Sequence, residues 1–467
     1  MANDAERVSN VDQASTAESG IGAVSDSTGA SQRARLLEAI VEIVARDGYA
    51  QAKIGDIAGR AGVSRPTFYE LFAHKEACLL SAQRELAERM CDDVGAAIGQ
   101  GEASRAAQSA LGALVAFVED EPLVFDFLMH EAMLAGPHAL AERDRLMRRL
   151  EQMVEASWEL APADAALVDM SPRLLLEGAV RLLGVRMRRA GDAPSGSLSD
   201  LLGWIDAYTV SARAPRWREF APIPALLRSP VQRTEEDLHR SLPRGRHRLP
   251  AEVVKHVQRE RITYATAEAI RAKGYGNVTV ADIVAAAGLS RDVFYAHFHD
   301  KEEAFDATVK LVFERLLATM AGEFFGSSDA WPEQIWAAGW AFVRFLESNP
   351  SLAHFLFVGT YAPPSHIRRV HDFVLAFTVF VEAGNRYQTP AAPIPRIVVE
   401  AIVCSVLEAV NLCIRDGRVY ELRGLIPIIS YMVLAPFMGT DAASEFLETR
   451  IAAAQSEAGT GCLADEA

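Results

Sequence analysis

Two short runs carry the side chains best suited to contact a polyanion. The first is Arg65-Pro66-Thr67-Phe68-Tyr69-Glu70-Leu71, and the second is Arg291-Asp292-Val293-Phe294-Tyr295-Ala296-His297. An arginine opens each run and suits either a guanine edge or a phosphate. The hydroxyls of Thr67, Tyr69 and Tyr295 suit phosphate oxygens, and Lys75 and Lys301, each just beyond its run, can neutralise phosphate. Asp292 can accept from cytosine N4, and it can equally weaken binding by repelling phosphate. Pro66, Glu70, Val293, His297 and Thr279 complete the candidate DNA-facing set. The bland alternatives are packing for the tyrosines and solvated helix-start lysines for Lys75 and Lys301. Catalytic patterns are missing: the sequence has no P-loop, no G-x-S-x-G and no Gly-rich nucleotide fingerprint. His354, His366 and His371 lack the i, i+4 spacing of a helical metal site. We therefore expect neither an enzyme nor a bound cofactor or metal.

The elements that must hold these runs can be read from the flanking residues. Ile54, Ile57, Ala58 and Ala61 follow the i, i+3, i+4, i+7 pattern of a short amphipathic helix. Gly62 suits a left-handed reversal at its end. Ser64 suits an N-cap for a second helix, and Pro66 is tolerated in that helix's first turn. Phe68 and Phe72, four apart, are core anchors. The second run has the same grammar: Thr279-Val-Ala-Asp282 reads as a capping box, Gly288 makes the turn, Ser290 caps, and Phe294 and Phe298 anchor. Upstream, Leu36, Leu37, Ile40, Val41 and Val44 share one helical face, and Gly48 suits a helix stop.

These likenesses belong to a long internal repeat. Residues 33–80 and 259–306 align without a gap. Identical pairs include Gly48/Gly274, Tyr49/Tyr275, Asp56/Asp282, Ile57/Ile283, Gly62/Gly288, Arg65/Arg291 and Lys75/Lys301. Downstream the match weakens but persists. FVEDEP before Leu123 pairs with FLESNP before Ser351, LEGAV at 176–180 with VEAIV at 399–403, and Tyr208 with Tyr431. Two copies thus fill most of the 467 residues.

Both segments resemble the N-terminal domain of TetR/AcrR-type transcriptional regulators, through Asp-Ile-Ala-x-x-Ala-Gly-Val-Ser, the Phe-Tyr pair and Phe-x-x-Lys-Glu. The resemblance implies an all-α fold of two TetR-like modules. Each would have a three-helix, helix-turn-helix DNA-binding head and a helical body that binds a small ligand and dimerises through its last helices. It implies a repressor released by that ligand. Where the family usually opens the first motif helix with Thr, copy one has Lys53. Copy two has Val293 in place of Thr67, which removes a hydroxyl. Seven Lys/Arg against six Asp/Glu in 31–80, and seven against eight in 255–306, give formal charges of about +1 and −1.

The expected domains are a disordered tail 1–31, head one 32–80, body one 81–215, a basic Pro-rich linker 216–255, head two 256–306, body two 307–455 and a second tail 456–467. The acidic balance of −15 excludes a wholesale nucleic-acid coat but not a local contact face. The five cysteines show no C-x-x-C pair, as suits a reducing cytosol. No secretory signal is visible, and the apolar run Leu425 to Met438 is too short for a span of about 20 residues. Body two is rich in aromatics (Phe324, Phe325, Trp331, Trp336, Trp340, Phe345, Phe355, Phe357), which read first as core and secondly as the lining of a hydrophobic ligand pocket. The arginines of RGRHR read as a solvated tether or as an arm reaching phosphate or the minor groove.

With both heads on one chain, the late helices (172–190 with 199–213, and 395–415 with 420–438) are expected to form a four-helix interface within an intrachain pseudo-dimer. A homodimer of chains is the other arrangement. A linker of about 37 residues has a coil span of roughly 30–37 Å. That resembles the ~34 Å spacing of half-sites in dimeric readers. RPTFYEL and RDVFYAH differ, so the half-sites should differ. The expected partners are a double-stranded DNA operator and a small hydrophobic effector, without a membrane. The competing reading is a ligand- or protein-binding module in which one head, the second by preference, no longer reads DNA.

Overall fold

A computed structural model of the chain describes residues 29–131, 135–190, 198–211, 216–228, 250–358, 367–387 and 393–464. The chain is helical almost throughout. The described exception is a two-stranded antiparallel ladder, Leu167–Val168 with Thr209–Val210, where the sequence shows no period-2 signal. Two compact units are formed, one from Met1–Ala96 with Ala116–Leu150 and the other from Ala97–Val115 with Glu151–Ala467.

The first unit carries head one. Helix α1 spans residues 29–47, and Gly48 stops it at φ 77°. Helix α2 (Ile54–Ala61) and helix α3 (Arg65–Leu71) follow, and helix α4 (Lys75–Gln100) begins here. The predicted face of α1 is buried through Leu36, Ile40 and Val44, as are Ile57 of α2 and Phe68 and Phe72 at the α3 end. Helix α6 (Pro122–Asp126) runs into a π turn, Phe127–Glu131, and helix α7 (Pro137–Glu159) supplies Met147 and Leu150. The end of α5 (Ala106–Asp120) also falls in this unit.

The second unit contains head two and all the remaining helices. Helix α10 (Ala251–Lys273), helix α11 (Val280–Ala287) and helix α12 (Arg291–Tyr295) make the head. Helices α13 (Lys301–Ser327), α14 (Trp331–Ser348), α15 (Pro350–Phe357), α16 (Ile367–Glu382) and α17 (Gly384–Tyr387) follow. Helices α18 (Arg396–Arg415), α19 (Ile426–Met438) and α20 (Thr440–Ala464) close the chain. Helices α18 and α19 are apolar nearly all round because they are core. Two stretches long and apolar enough to cross a membrane, Arg396–Arg415 and Val419–Met438, are 94% and 83% buried inside the protein.

The sequence repeat and the structural unit do not share a boundary. Helices α8 (Pro172–Ala190) and α9 (Leu198–Asp206) belong to copy one in sequence, yet they pack in the second unit against α18 of copy two. Gly178 permits this approach. A Cβ built there would stand 2.8 Å from the Ser405 Cα. Arg186 pairs with Glu400 at 3.0 Å and Arg181 with Glu408, and both carboxylates are buried. Tyr208 donates to the Met432 carbonyl at 2.8 Å and accepts from the Trp204 indole.

Four expected boundaries move. The linker expected at 216–255 is structured at both ends. Trp217 is buried, stacks on Tyr431 with centroids 5.4 Å apart, and donates to Ser444 Oγ. Ile223 N donates to the Gly424 carbonyl at 2.9 Å, and α10 already begins at Ala251. A buried indole with a satisfied N–H is interior, not tether. Residues 229–249, including RGRHR, lie outside the described residues. Helix α20 runs to Ala464 through most of the expected tail, and α1 begins at residue 29 rather than after 31. Cys78, Cys91, Cys404 and Cys413 are free and buried, and burial pushes Cys78, Cys404 and Cys413 up to about 12. Such thiols are unreactive.

Candidate nucleic-acid interface

Both turns close as the residue types require. Gly62 and Gly288 sit in the left-handed region, at φ 63° and 61°. In each head an arginine of the first helix reaches this turn. Arg261 donates to the Ala287 carbonyl at 2.6 Å, and the Arg35 guanidinium lies at ordinary contact distance beside Gly62. Ser64 Oγ accepts from Thr67 N at 3.1 Å, and Ser290 Oγ from Val293 N at 3.4 Å. Each seryl cap satisfies one first-turn donor and fixes the direction in which the second helix leaves the turn.

Opening the first motif helix, the heads differ. Thr279 and Asp282 make the full capping box. Asp282 also accepts from Lys273 at 2.6 Å, and these bonds hold its carboxyl down at about 2. Lys53 occupies the same position in head one and makes no side-chain cap. Its long ammonium stem cannot accept from a backbone N–H.

The outward side chains are placed as follows. Tyr69 and Tyr295 are each 56% exposed, and both lie edge-on to the buried phenylalanine beside them. Arg65, Pro66 and Glu70 of α3 and Arg291 and Asp292 of α12 are exposed. Thr67 and Val293 are half-buried at matching positions, and the Thr67 hydroxyl is hydrogen-bonded to Ser64 Oγ at 2.8 Å. Thr279 is exposed, with its hydroxyl engaged by Asp282. The second reading helix is shorter. It ends at Tyr295, whereas α3 continues to Leu71, so Ala296 and His297 follow the helix rather than extend its face.

Three side chains expected to face DNA are turned inward. Lys75 Nζ donates to the carbonyls of Tyr49 and Ala52 at 2.7 and 2.9 Å and lies 4.0 Å from the Tyr49 ring centroid. Lys301 repeats this on Tyr275 and Val278, at 3.0 Å each. The tether before α2 or α11 leaves two carbonyls without helical partners, and one ammonium satisfies both. Each ammonium is thus engaged by the backbone of its own head. His297 Nε2 lies 3.3 Å from Gln258 Oε1, while its carbonyl accepts from Arg259. Burial, with Arg259 and Lys255 nearby, lowers its pKa. The sequence reading missed Arg35 and Arg261. Their signal was identity between copies at a helix position that the apolar pattern did not explain.

The profile of bacterial regulatory proteins of the tetR family matches residues 36–82 and again 262–308. Each head is therefore similar to the regulatory proteins of that family over 47 residues. The fatty acid metabolism regulator protein of Bacillus subtilis (strain 168) is 38% identical over 64 residues, which are 13% of this chain and 33% of that protein, so the chain spans a third of that relative's length. Among solved structures, the fatty acid degradation regulator FadR from Bacillus halodurans covers 38% of this chain and 94% of its own, at 18% identity and TM-score 0.35. FadR from Bacillus subtilis in complex with stearoyl-CoA covers 38% and 97%, at 15% identity and TM-score 0.34. A TetR family regulator from Marinobacter aquaeolei VT8 covers 40% and 100%, at 19% identity and TM-score 0.33. The two TetR-type heads occur in tandem on one chain.

Proposed function

We propose that the protein is a cytoplasmic, ligand-released transcriptional repressor whose two heads read two unlike half-sites from a single chain. The observation that carries this is the pairing of two fully formed helix-turn-helix motifs with unlike exposed residues on α3 and α12. An N-terminal reading helix placed at base edges uses those residues. Support for the intrachain arrangement comes from α8 and α9 lying against α18. The late-helix face of copy one is covered by copy two of the same chain, through Gly178, Arg181, Arg186 and Tyr208. A chain that satisfies its own pairing face has no need of a second chain to present two heads.

Support for an effector comes from a cavity of about 60 Å³ within body two. It is lined by side chains including Met320, Phe342, Phe377 and Leu407, and by Ser430, whose buried Oγ has no hydrogen-bond partner. A cavity that holds benzene measures about 150 Å³. An effector of more than a few carbons must therefore part α14 from α16 to enter. The chemistry fits an apolar molecule with one hydrogen-bonding group for Ser430. Opening these helices against the packing of α10 on α15 is a route by which occupancy reaches head two. The test is a salt-dependent mobility shift on the duplex that the intact chain selects from a randomised library, with Arg65→Ala and Arg291→Ala variants. Both should weaken binding.

The inward His297, the shorter α12 and the Asp292 carboxylate favour a second reading, in which head two no longer reads DNA. It predicts loss with Arg65→Ala and no change with Arg291→Ala.

A further inference from the structure

Arg65 opens α3, and its guanidinium lies beside Gly55 in the first turn of α2. A Cβ built on Gly55 would stand 3.0 Å from Arg65 Cζ and closer still to a terminal nitrogen. The guanidinium occupies this place only because residue 55 has no side chain. The atoms it would meet are the far end of a flexible side chain, so a methyl there moves the guanidinium and leaves the helices alone. Head two keeps the arginine, as Arg291, but has Ala281 at the position of Gly55. Ala281 carries the methyl that head one lacks, and the same resting place is closed to Arg291.

A guanidinium held beside the first helix and one left at the N-terminus of the second would face different parts of a duplex. In a helix-turn-helix the first helix crosses the phosphate backbone, while the N-terminus of the second points at base edges. We infer that the residue at this one position of the first helix assigns the arginine its task. Gly55 lets Arg65 lie back over α2 and clamp a phosphate, and Ala281 turns Arg291 forward to a base edge. Gly55 and Ala281 are positioning residues, which act through the arginines. The inference rests on the DNA reading proposed above, and it adds a source of asymmetry outside the reading helices.

The experiment exchanges the two residues in the intact chain. The probe is the duplex selected by the unaltered chain, with single base-pair variants of each half-site. Removing one phosphate contact lowers the slope of log K against log salt by about 0.9. Losing a bidentate base contact abolishes about tenfold discrimination at one base pair. Arg65→Ala should do the first and Arg291→Ala the second. Gly55→Ala should gain about tenfold discrimination at one base pair of the first half-site and lose about 0.9 of slope. Ala281→Gly should do the reverse in the second half-site. Melting temperatures control for folding. If Gly55→Ala fails to fold, the Ala281→Gly arm, which removes only a methyl, decides. Unchanged base preferences and slopes in folded Gly55→Ala and Ala281→Gly chains overturn the assignment while the DNA reading stands. An unaltered chain that selects no duplex refutes the DNA reading and this inference with it.

Discussion

Replacing Gly178 by alanine tests the seam that joins the two copies. The new Cβ would lie 2.8 Å from Ser405 Cα and 2.7 Å from Ser405 Cβ, against an ordinary separation of at least 3.4 Å. Backbone cannot rotate aside, so α8 and α18 must part by about 0.6 Å, the difference between 3.4 and 2.8. Overpacking of this kind costs about 2–3 kcal/mol. A radial gap of that size also forfeits a quarter or more of each neighbouring dispersion interaction along the seam. Alanine recovers about 1 kcal/mol of helix propensity over glycine. The expected net loss is therefore about 1–2 kcal/mol. With m near 2–3 kcal/mol per molar in urea, the unfolding midpoint should fall by roughly 0.3–1 M. Adding Ser405→Gly removes the side-chain clash but leaves the new methyl against the α18 backbone, so the double variant should recover only part of the loss. A midpoint for Gly178→Ala equal to that of the unaltered chain would refute the close approach, and with it the seam on which the intrachain pairing rests.

Other consequences follow from single side chains. Lys53→Thr gives α2 the acceptor it lacks and should stabilise head one by about 1 kcal/mol in thermal melts. Lys75→Met and Lys301→Met remove a charged donor from two carbonyls and should each destabilise their head by about 1–2 kcal/mol, discounted for partial exposure, while leaving the salt slope of DNA binding unchanged. The Asp282 carboxyl is depressed to about 2 by Lys273 and Thr279. Its contribution is present above the unfolded value of about 3.9 and is lost as pH falls through the folded one. Asp282→Asn should therefore flatten the stability of the chain between about pH 4 and pH 2 in an acid titration followed by circular dichroism. Ser430→Ala deletes an unpartnered buried hydroxyl and should leave stability unchanged or raise it by about 1 kcal/mol, while weakening any effector that hydrogen-bonds there.

The heads were legible because their grammar is local. Gly62 and Gly288 announce a left-handed turn, Ser64 and Ser290 a cap, and Phe68 and Phe294 a core face, and each is decided within a few residues of itself. Which exposed side chains remain free was less legible. Lys75 and Lys301 look like solvated cations, and only the loop carbonyls 23 and 26 residues earlier in each head reveal their partners. His297 belongs to the reading run by spacing, but α12 stops two residues before it. The bodies were legible as helical but not as to their partners. Nothing near Trp217 says that this residue of a Pro-rich stretch stacks on Tyr431. Nor does the sequence around α8 tell that its small Gly178 faces Ser405 of the other copy. Those facts depend on packing between residues more than two hundred positions apart, which no local pattern encodes. The resemblance of LEGAV to VEAIV and of Tyr208 to Tyr431 marked the elements involved without showing that they meet.

The central claim is that one chain presents two different reading heads to one operator. Its most direct test is the mass of the complex between the intact protein and its selected duplex, measured by native mass spectrometry. The expected result is one 50.8 kDa chain per duplex, on a site with two unlike half-sites. Two chains on a perfect palindrome would contradict it, because a single head type from each chain would then suffice.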